Sequence, residues 1–344
     1  MPADIGRPVT LVPVVTGCQS LTGRTKGDLG MRTAKLGSRG PDLSVIGFGA
    51  WEAGMGREWD DAPPEEQVIE AIAMVFETGI NWIDTAEVYG NGTSERLVGR
   101  AVAGRRDEIL IATKVAPAPA GSGFRPEQVH EACRKSLERL STDRIDLYQL
   151  HWPDASGVPI EETWGAMTSL VDEGLVRCIG VSNFDRALIE RCLAVRHVDS
   201  LQQEFSMLVL DDRDLIRWCG DVGIGVLAYG PLAYGLLTGA ITAKTKFARR
   251  DHRRVEKGRL FGPGNRERSL AVVDATRPIA DRLGVTVSQL ALAWTVHQPG
   301  VTSAIAGSRN PEHVRSNAAA GDVVVDAATL AELEKILRLG PSFD

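Results

Sequence analysis

The sequence has no stretch approaching the ~18 apolar residues that a membrane-crossing helix requires, which excludes a spanning segment. It has only five cysteines, Cys18, Cys133, Cys178, Cys192 and Cys219, an odd number without a C-x-x-C pair. That spacing excludes a disulfide framework and a cysteine zinc site, and reads as reduced thiols in a cytoplasmic protein. The histidines show no H-E-x-x-H and no i, i+4 pair, so no metal is expected. Basic residues are not in excess: 39 Lys and Arg face 45 Asp and Glu, a net charge of −6. A nucleic-acid partner, which needs a basic face, is therefore not expected. What is present is ordinary globular material. Apolar residues make up 43% of 344, enough for a large core and too many for a disordered chain.

Residues 1–30 carry Pro2, Pro8, Pro13 and several glycines, with neither helical nor strand period. They read as a tail, not a signal peptide. Met31 opens Met31-Arg32-Thr33-Ala34-Lys35-Leu36-Gly37, which reads as the biological start. The expected division is a tail at 1–30 and one domain at 31–344.

From residue 43 onward, short apolar runs alternate with longer helical periods. Strands are expected at 43–48, 80–84, 108–113, 145–150, 176–181, 200–203, 225–228 and 302–305. Helices are expected at 64–78, 94–103, 126–140, 160–173, 187–195, 213–222, 270–283, 287–297, 311–319 and 328–337. Thr286-Val287-Ser288-Gln289 spells a capping box, and Asn310-Pro311 a helix start. Eight strand–helix units in one chain fit an α/β fold, a single-domain (β/α)8 TIM barrel. The rival, a doubly wound open sheet, calls for G-x-G-x-x-G after the first strand. Here Gly47-Phe48-Gly49-Ala50-Trp51-Glu52 lacks the third glycine.

A barrel of this kind holds its chemistry at the carboxyl ends of its strands. Those ends carry Asp84, with Tyr89 five residues on, then Lys114, then His151. A phenol is a poor acid at neutral pH, and a neighbouring ammonium lowers its pKa. A carboxylate holds the ammonium, and a histidine directs a carbonyl oxygen by hydrogen bonding. Together they suit protonation of a carbonyl oxygen that is gaining negative charge.

Asn81-Trp82-Ile83-Asp84-Thr85-Ala86-Glu87-Val88-Tyr89-Gly90, Ile111-Ala112-Thr113-Lys114, Asp146-Leu147-Tyr148-Gln149-Leu150-His151 and Gly180-Val181-Ser182-Asn183-Phe184 together resemble the aldo-keto reductases. The resemblance spans residues 31–340. It implies Tyr89 as proton donor, Lys114 and Asp84 as its tuning pair, and His151 as the group orienting a small carbonyl substrate. It implies NADPH as cofactor, ahead of NADH, with hydride passing to an aldehyde or ketone carbon.

By the same resemblance Ser182, Asn183 and Gln202 bond the carboxamide, and Tyr229 stacks on the nicotinamide. Gln202 is chosen over Gln203 because Gln202-x-Glu204-Phe205 fits the family spacing. Gly230 and Leu232 give backbone contacts to the pyrophosphate. Gly307, Ser308, Arg309, His313 and Asn317 hold the adenosine end, with Arg309 on the 2′-phosphate. His313 and Ser316 depart from the family's glutamine and glutamate, which loosens the preference for NADPH. Of Trp51, Trp59, Trp82, Trp152 and Phe205, Trp51 and Trp152 are expected to line the substrate pocket. The basic loop 239–267 reads as a lid.

Other readings compete. Gly180-x-Ser182 lacks the final glycine of a hydrolase elbow. A Schiff-base lysine at 114 would be kept charged by Asp84. The β-subunits of voltage-gated potassium channels share the fold, so an NADPH-binding regulatory or sensor subunit is the alternative to an enzyme. A sugar or alcohol dehydrogenase working in the oxidative direction is the other.

Overall fold

The computed structural model describes residues 31–54, 64–116, 124–154, 156–249, 251–255, 258–341 and 343. The expected tail, residues 1–30, lies outside them, as does Trp59. Residues Met31–Asp344 form one compact unit.

Two short strands, β1 (Thr33–Lys35) and β2 (Asp42–Ser44), pair antiparallel as a hairpin. Eight more strands follow: β3 (Ile46–Gly49), β4 (Trp82–Asp84), β5 (Leu110–Val115), β6 (Ile145–Leu150), β7 (Val176–Ser182), β8 (Ser200–Glu204), β9 (Gly225–Tyr229) and β10 (Val301–Ile305). They close a barrel in the order β10-β3-β4-β5-β6-β7-β8-β9, with every neighbour parallel.

The helices are α1 (Trp51–Gly54), α2 (Glu65–Ala73), α3 (Val75–Thr78), α4 (Thr93–Ala101), α5 (Pro126–Leu140), α6 (Ile160–Asp172), α7 (Arg186–Val195) and α8 (Arg213–Asp221). After β9 come α9 (His252–Val255), α10 (Gly258–Phe261), α11 (Asn265–Leu283) and α12 (Val287–Val296). After β10 come α13 (Pro311–Ala319) and α14 (Ala327–Leu337). None of the described helices is long and apolar enough to cross a membrane.

The (β/α)8 barrel is the fold the alternation implies. The caps behave as their sequence requires. Thr286 Oγ1 accepts from Gln289 N at 3.1 Å, and Gln289 Oε1 accepts from Thr286 N at 3.0 Å. Asn310 Oδ1 accepts from Glu312 N at 2.9 Å, just before Pro311 opens α13.

Several elements differ from expectation, among them β1, α1, and the short helices α9 and α10 within the segment read as a basic loop. The strand expected at 43–48 is two strands, because Val45 N bonds back to Arg32 O and β2 turns to pair with β1. The helix expected at 64–78 divides at Met74 into α2 and α3. Helix α11 starts at Asn265, five residues early. Its first turn is polar and carries no apolar period, and Glu267 Oε2 caps Gly264 N at 2.7 Å.

Two apolar layers hold the fold. The larger lies between strands and helices. The smaller fills the barrel itself with Leu36, Leu43, Trp82, Ala112, Leu147, Leu227 and Ile305. Leu36 and Leu43 come from the hairpin, which therefore plugs the barrel. Trp82 is the largest side chain in this filling and is 1% exposed. Its Nε1 donates to Ser44 O and to Ser303 Oγ, each at 3.2 Å. Trp82 thus belongs to the barrel filling, not to the substrate pocket.

The indole needs Gly47 beside it. A Cβ at that position would lie 2.1 Å from Trp82 Cε2 and 2.2 Å from its Cζ2. Gly47→Ala should destabilise the fold by about 1–3 kcal/mol through overpacking. Urea unfolding would measure this. A loss below about 0.5 kcal/mol would mean that the indole moves aside freely.

Candidate active site

Strands β4, β5 and β6 are adjacent, and their carboxyl ends bring the catalytic candidates together. Asp84 is the last residue of β4, Lys114 lies one residue from the end of β5, and His151 follows β6. Its backbone N–H continues the ladder to Val115 O at 2.9 Å. Tyr89 returns to the same point through a turn, in which its N–H bonds Ala86 O at 3.1 Å.

Lys114 is fully buried. Its ammonium donates to Asp84 Oδ2 at 2.7 Å, to Thr85 O at 2.8 Å and to Tyr89 OH at 3.3 Å. The other carboxylate oxygen, Asp84 Oδ1, accepts from Gln202 Nε2 at 2.8 Å. The Tyr89 and His151 rings meet edge-on, with centroids 5.5 Å apart. All four candidates therefore form one cluster.

The electrostatics correct one expectation. Burial and the Asp84 charge push the Tyr89 phenol well above its ordinary value, where a lowered value was anticipated. Burial is the larger cause; the ammonium makes its two shorter bonds to Asp84 and Thr85 and its longest to the phenol. Burial also lowers Lys114, against the pull of Asp84. Burial and the Lys114 charge hold His151 well below the usual imidazole range. The cluster thus sets a phenol and an imidazole, both biased by burial towards their neutral forms, beside the Lys114–Asp84 ion pair.

A second charged group, unnoticed in the sequence, stands behind this one. Glu95 of α4 is fully buried. It accepts from Thr113 Oγ1 at 2.6 Å and from Arg139 Nε at 2.5 Å. Arg139 also lies 3.7 Å from Glu87 Oε2, and Glu87 Oε1 accepts from Ala116 N at 2.8 Å. The two carboxylates therefore grip β5 on either side of Lys114. The available signal was an acid on the buried face of a helical period, where charge is rare unless paired.

The expected carboxamide ligands also converge. Asn183, held at φ 60°, donates from Nδ2 to His151 O at 3.0 Å and to Ser182 Oγ at 3.1 Å. Its Oδ1 accepts from Tyr229 OH at 2.9 Å. Gln202 faces this cluster, whereas Gln203 turns away to Asp212 at 2.7 Å. Gly230 takes φ 65° directly after β9, and Leu232 is half-buried two residues on.

The adenosine candidates lie apart, beyond β10. Ser308 Oγ is 3.3 Å from His313 Nδ1, and Asn317 is buried. Arg309 Nε lies 3.9 Å from Glu52 Oε2 of α1. Gly307 is dictated by packing as much as by any ligand: a Cβ there would lie 2.1 Å from Gly49 O.

The aromatic candidates divide. Trp152 stacks tilted on His151 with centroids 4.4 Å apart and stays 36% exposed, at the mouth. Trp51 packs edge-on against His252 of α9, at 4.9 Å, and against Tyr234, at 6.4 Å. It thus meets the basic loop. Phe205 stacks on Trp294 and is fully buried, a core residue. The four described cysteines are free, and burial pushes their thiols up to about 12, unsuited to nucleophilic work.

The sequence matches the aldo/keto reductase family over residues 45–338. It is 36% identical to an aldo-keto reductase of Bacillus subtilis, YhdN, over 82% of this chain and 86% of that protein. It is 33% identical to the NADH-specific methylglyoxal reductase of Escherichia coli, over 90% of this chain and all of that one. Among solved structures, the glycerol dehydrogenase of Gluconobacter oxydans superposes with a TM-score of 0.81 at 29% identity, covering 91% of this chain and 97% of that one. An aldo-keto reductase of Klebsiella pneumoniae in complex with NADPH gives 0.71 at 31% identity, covering 91% and 97%. The chain belongs to the aldo/keto reductase family and is an oxidoreductase that works with a nicotinamide cofactor on carbonyl groups.

Glu95→Gln keeps the shape and removes the charge facing Arg139. It should cost about 3 kcal/mol of unfolding free energy, as expected for breaking a largely buried ion pair. Guanidinium denaturation would show it, and a cost under about 1 kcal/mol would mean that Glu87 alone satisfies Arg139.

Proposed function

We propose that this aldo/keto reductase reduces small aldehydes and ketones with NADPH, with Tyr89 delivering the proton. The observation that carries the reading is the single ammonium of Lys114, 2.7 Å from Asp84 and 3.3 Å from Tyr89, beside His151.

The residues present fit a nicotinamide dinucleotide. Asn183 and Gln202 offer amide donors and acceptors, matching a carboxamide, and Ser182 adds a hydroxyl. Gln202 gives an N–H to Asp84, which leaves its carbonyl oxygen to accept from a ligand. The half-buried Tyr229 ring, anchored through Asn183, offers an apolar face to a flat ring. Arg309, Ser308 and Asn317 supply donors for phosphate at the other end. When bound, the cofactor supplies the hydride.

The chain's own groups manage the proton. His151 stays neutral and can donate one hydrogen bond to the substrate oxygen without surrendering its charge state. Tyr89 keeps its proton through the neutral range and releases it only to a stronger base. An alkoxide formed at the carbonyl oxygen is such a base. Lys114 then stabilises the phenolate left behind, and Asp84 with Gln202 holds Lys114 in place. Run backwards, the same groups oxidise an alcohol, with the phenolate as base.

Trp152 and Val88, the chain neighbours of His151 and Tyr89, are exposed apolar side chains. The relatives named for methylglyoxal and for glycerol favour a small, compact substrate. We assign the protein to the cytoplasm, in keeping with its free thiols.

Tyr89→Phe should bind NADPH within about twofold of the parent and lose about 10²–10⁴ of its reduction rate. Intact turnover would remove Tyr89 as the donor. Tight NADPH binding by the parent with no turnover on any aldehyde or ketone would instead favour a binding-only role. The raised phenol also sets a pH dependence. Reduction needs the protonated form, so its rate should stay flat from about pH 6 to 8. Oxidation needs the phenolate, so its rate should climb throughout that range. Initial rates in both directions test this, and a bell centred near pH 7 would contradict it.

A further inference from the structure

The Glu52–Arg309 contact is poorly suited to a site that selects a phosphate. Glu52 lies on the one-turn segment after β3, and its carboxylate comes within 3.9 Å of the Arg309 guanidinium. Neither side chain is fully exposed, so the pair is only partly screened by water. Burial pushes the Glu52 carboxyl up, and the charges of Arg309 and of Arg253, from the segment carrying His252, oppose that shift. His252 of the basic loop in turn packs on Trp51, the neighbour of Glu52. One acid therefore stands among two arginines, where the first strand, the last strand and the basic loop meet.

We infer that Glu52 is a specificity-determining residue that narrows the preference for NADPH over NADH. This rests on the proposed assignment of Arg309 to the 2′-phosphate. That phosphate carries about two negative charges. To dock on Arg309 it must share the guanidinium with a carboxylate already facing it, and like charges are brought close together. The ribose 2′-hydroxyl of NADH brings no charge, and it can donate a hydrogen bond to the carboxylate. Glu52 thus weakens the binding of one cofactor and leaves that of the other unopposed.

The test is titration of NADPH and NADH by tryptophan quenching, at one salt concentration, on the whole chain. The proteins are the parent, Glu52→Gln, Glu52→Asp, Arg309→Gln and the double variant Glu52→Gln/Arg309→Gln. Glu52→Gln should tighten NADPH about tenfold and leave NADH within about twofold. Glu52→Asp, which keeps the charge, should bind both within about threefold of the parent. Arg309→Gln should weaken NADPH selectively, and adding Glu52→Gln to it should shift the ratio by less than about threefold. If Arg309→Gln weakens NADPH alone but Glu52→Gln leaves the NADPH/NADH ratio unchanged, the role of Glu52 is overturned and the phosphate assignment stands. If Arg309→Gln leaves that ratio unchanged, both fall together.

Discussion

The structure turns on one buried ion pair. Lys114 is closed off from water inside the barrel, and an isolated ammonium there would be costly unless paired and hydrogen-bonded. Asp84 supplies the opposite charge at 2.7 Å, and Thr85 O a second acceptor at 2.8 Å. Gln202 ties the free carboxylate oxygen at 2.8 Å, from a strand four places round the barrel. With the pair so held, the third ammonium bond is left to point at Tyr89. Pairs of this kind contribute little net stability compared with apolar packing. Its placement at strand ends, beside a phenol and a neutral imidazole, makes function the better account of it.

The rest of the molecule keeps that pair where it is. The hairpin and Trp82 fill the barrel beneath it, so the strand ends cannot collapse inward. Glu95 and Glu87, joined through Arg139, grip β5 on either side of Lys114. Asn183 links the imidazole-bearing turn to Tyr229 and so connects the proton-handling side to the side suited to a cofactor. Catalysis of this type depends on groups fixed before charge develops, and each of these bonds restricts motion at that point.

Much of this was legible in the sequence, and the failures have physical causes. The strands from β4 to β10 were visible because both their faces are covered and they read as continuous apolar runs. Thr286 and Asn310 marked helix starts through local chemistry that tertiary structure had no reason to override. The hairpin was missed because three-residue strands carry no period, and its purpose, plugging the barrel, is a long-range fact. Asp84, Tyr89, Lys114 and His151 could be grouped because adjacent strands deliver them in sequence order. The direction of the Tyr89 shift could not be read, since it depends on how deeply the phenol is buried and on the Asp84 charge beside it. Glu95 was hidden for a similar reason: its partner Arg139 is 44 residues away on another helix. Glu52 gave no signal at all until Arg309, from the far end of the chain, was placed against it.

The most direct test of the central claim is the single-turnover rate of Asp84→Asn, with NADPH saturating and an aldehyde added by rapid mixing. The amide keeps the shape and removes the charge that holds Lys114. The chemical step should slow by at least about 10²-fold while NADPH binding stays within about threefold. An unchanged rate would show that the proton reaches the substrate without the Asp84–Lys114 pair, and the account would fail.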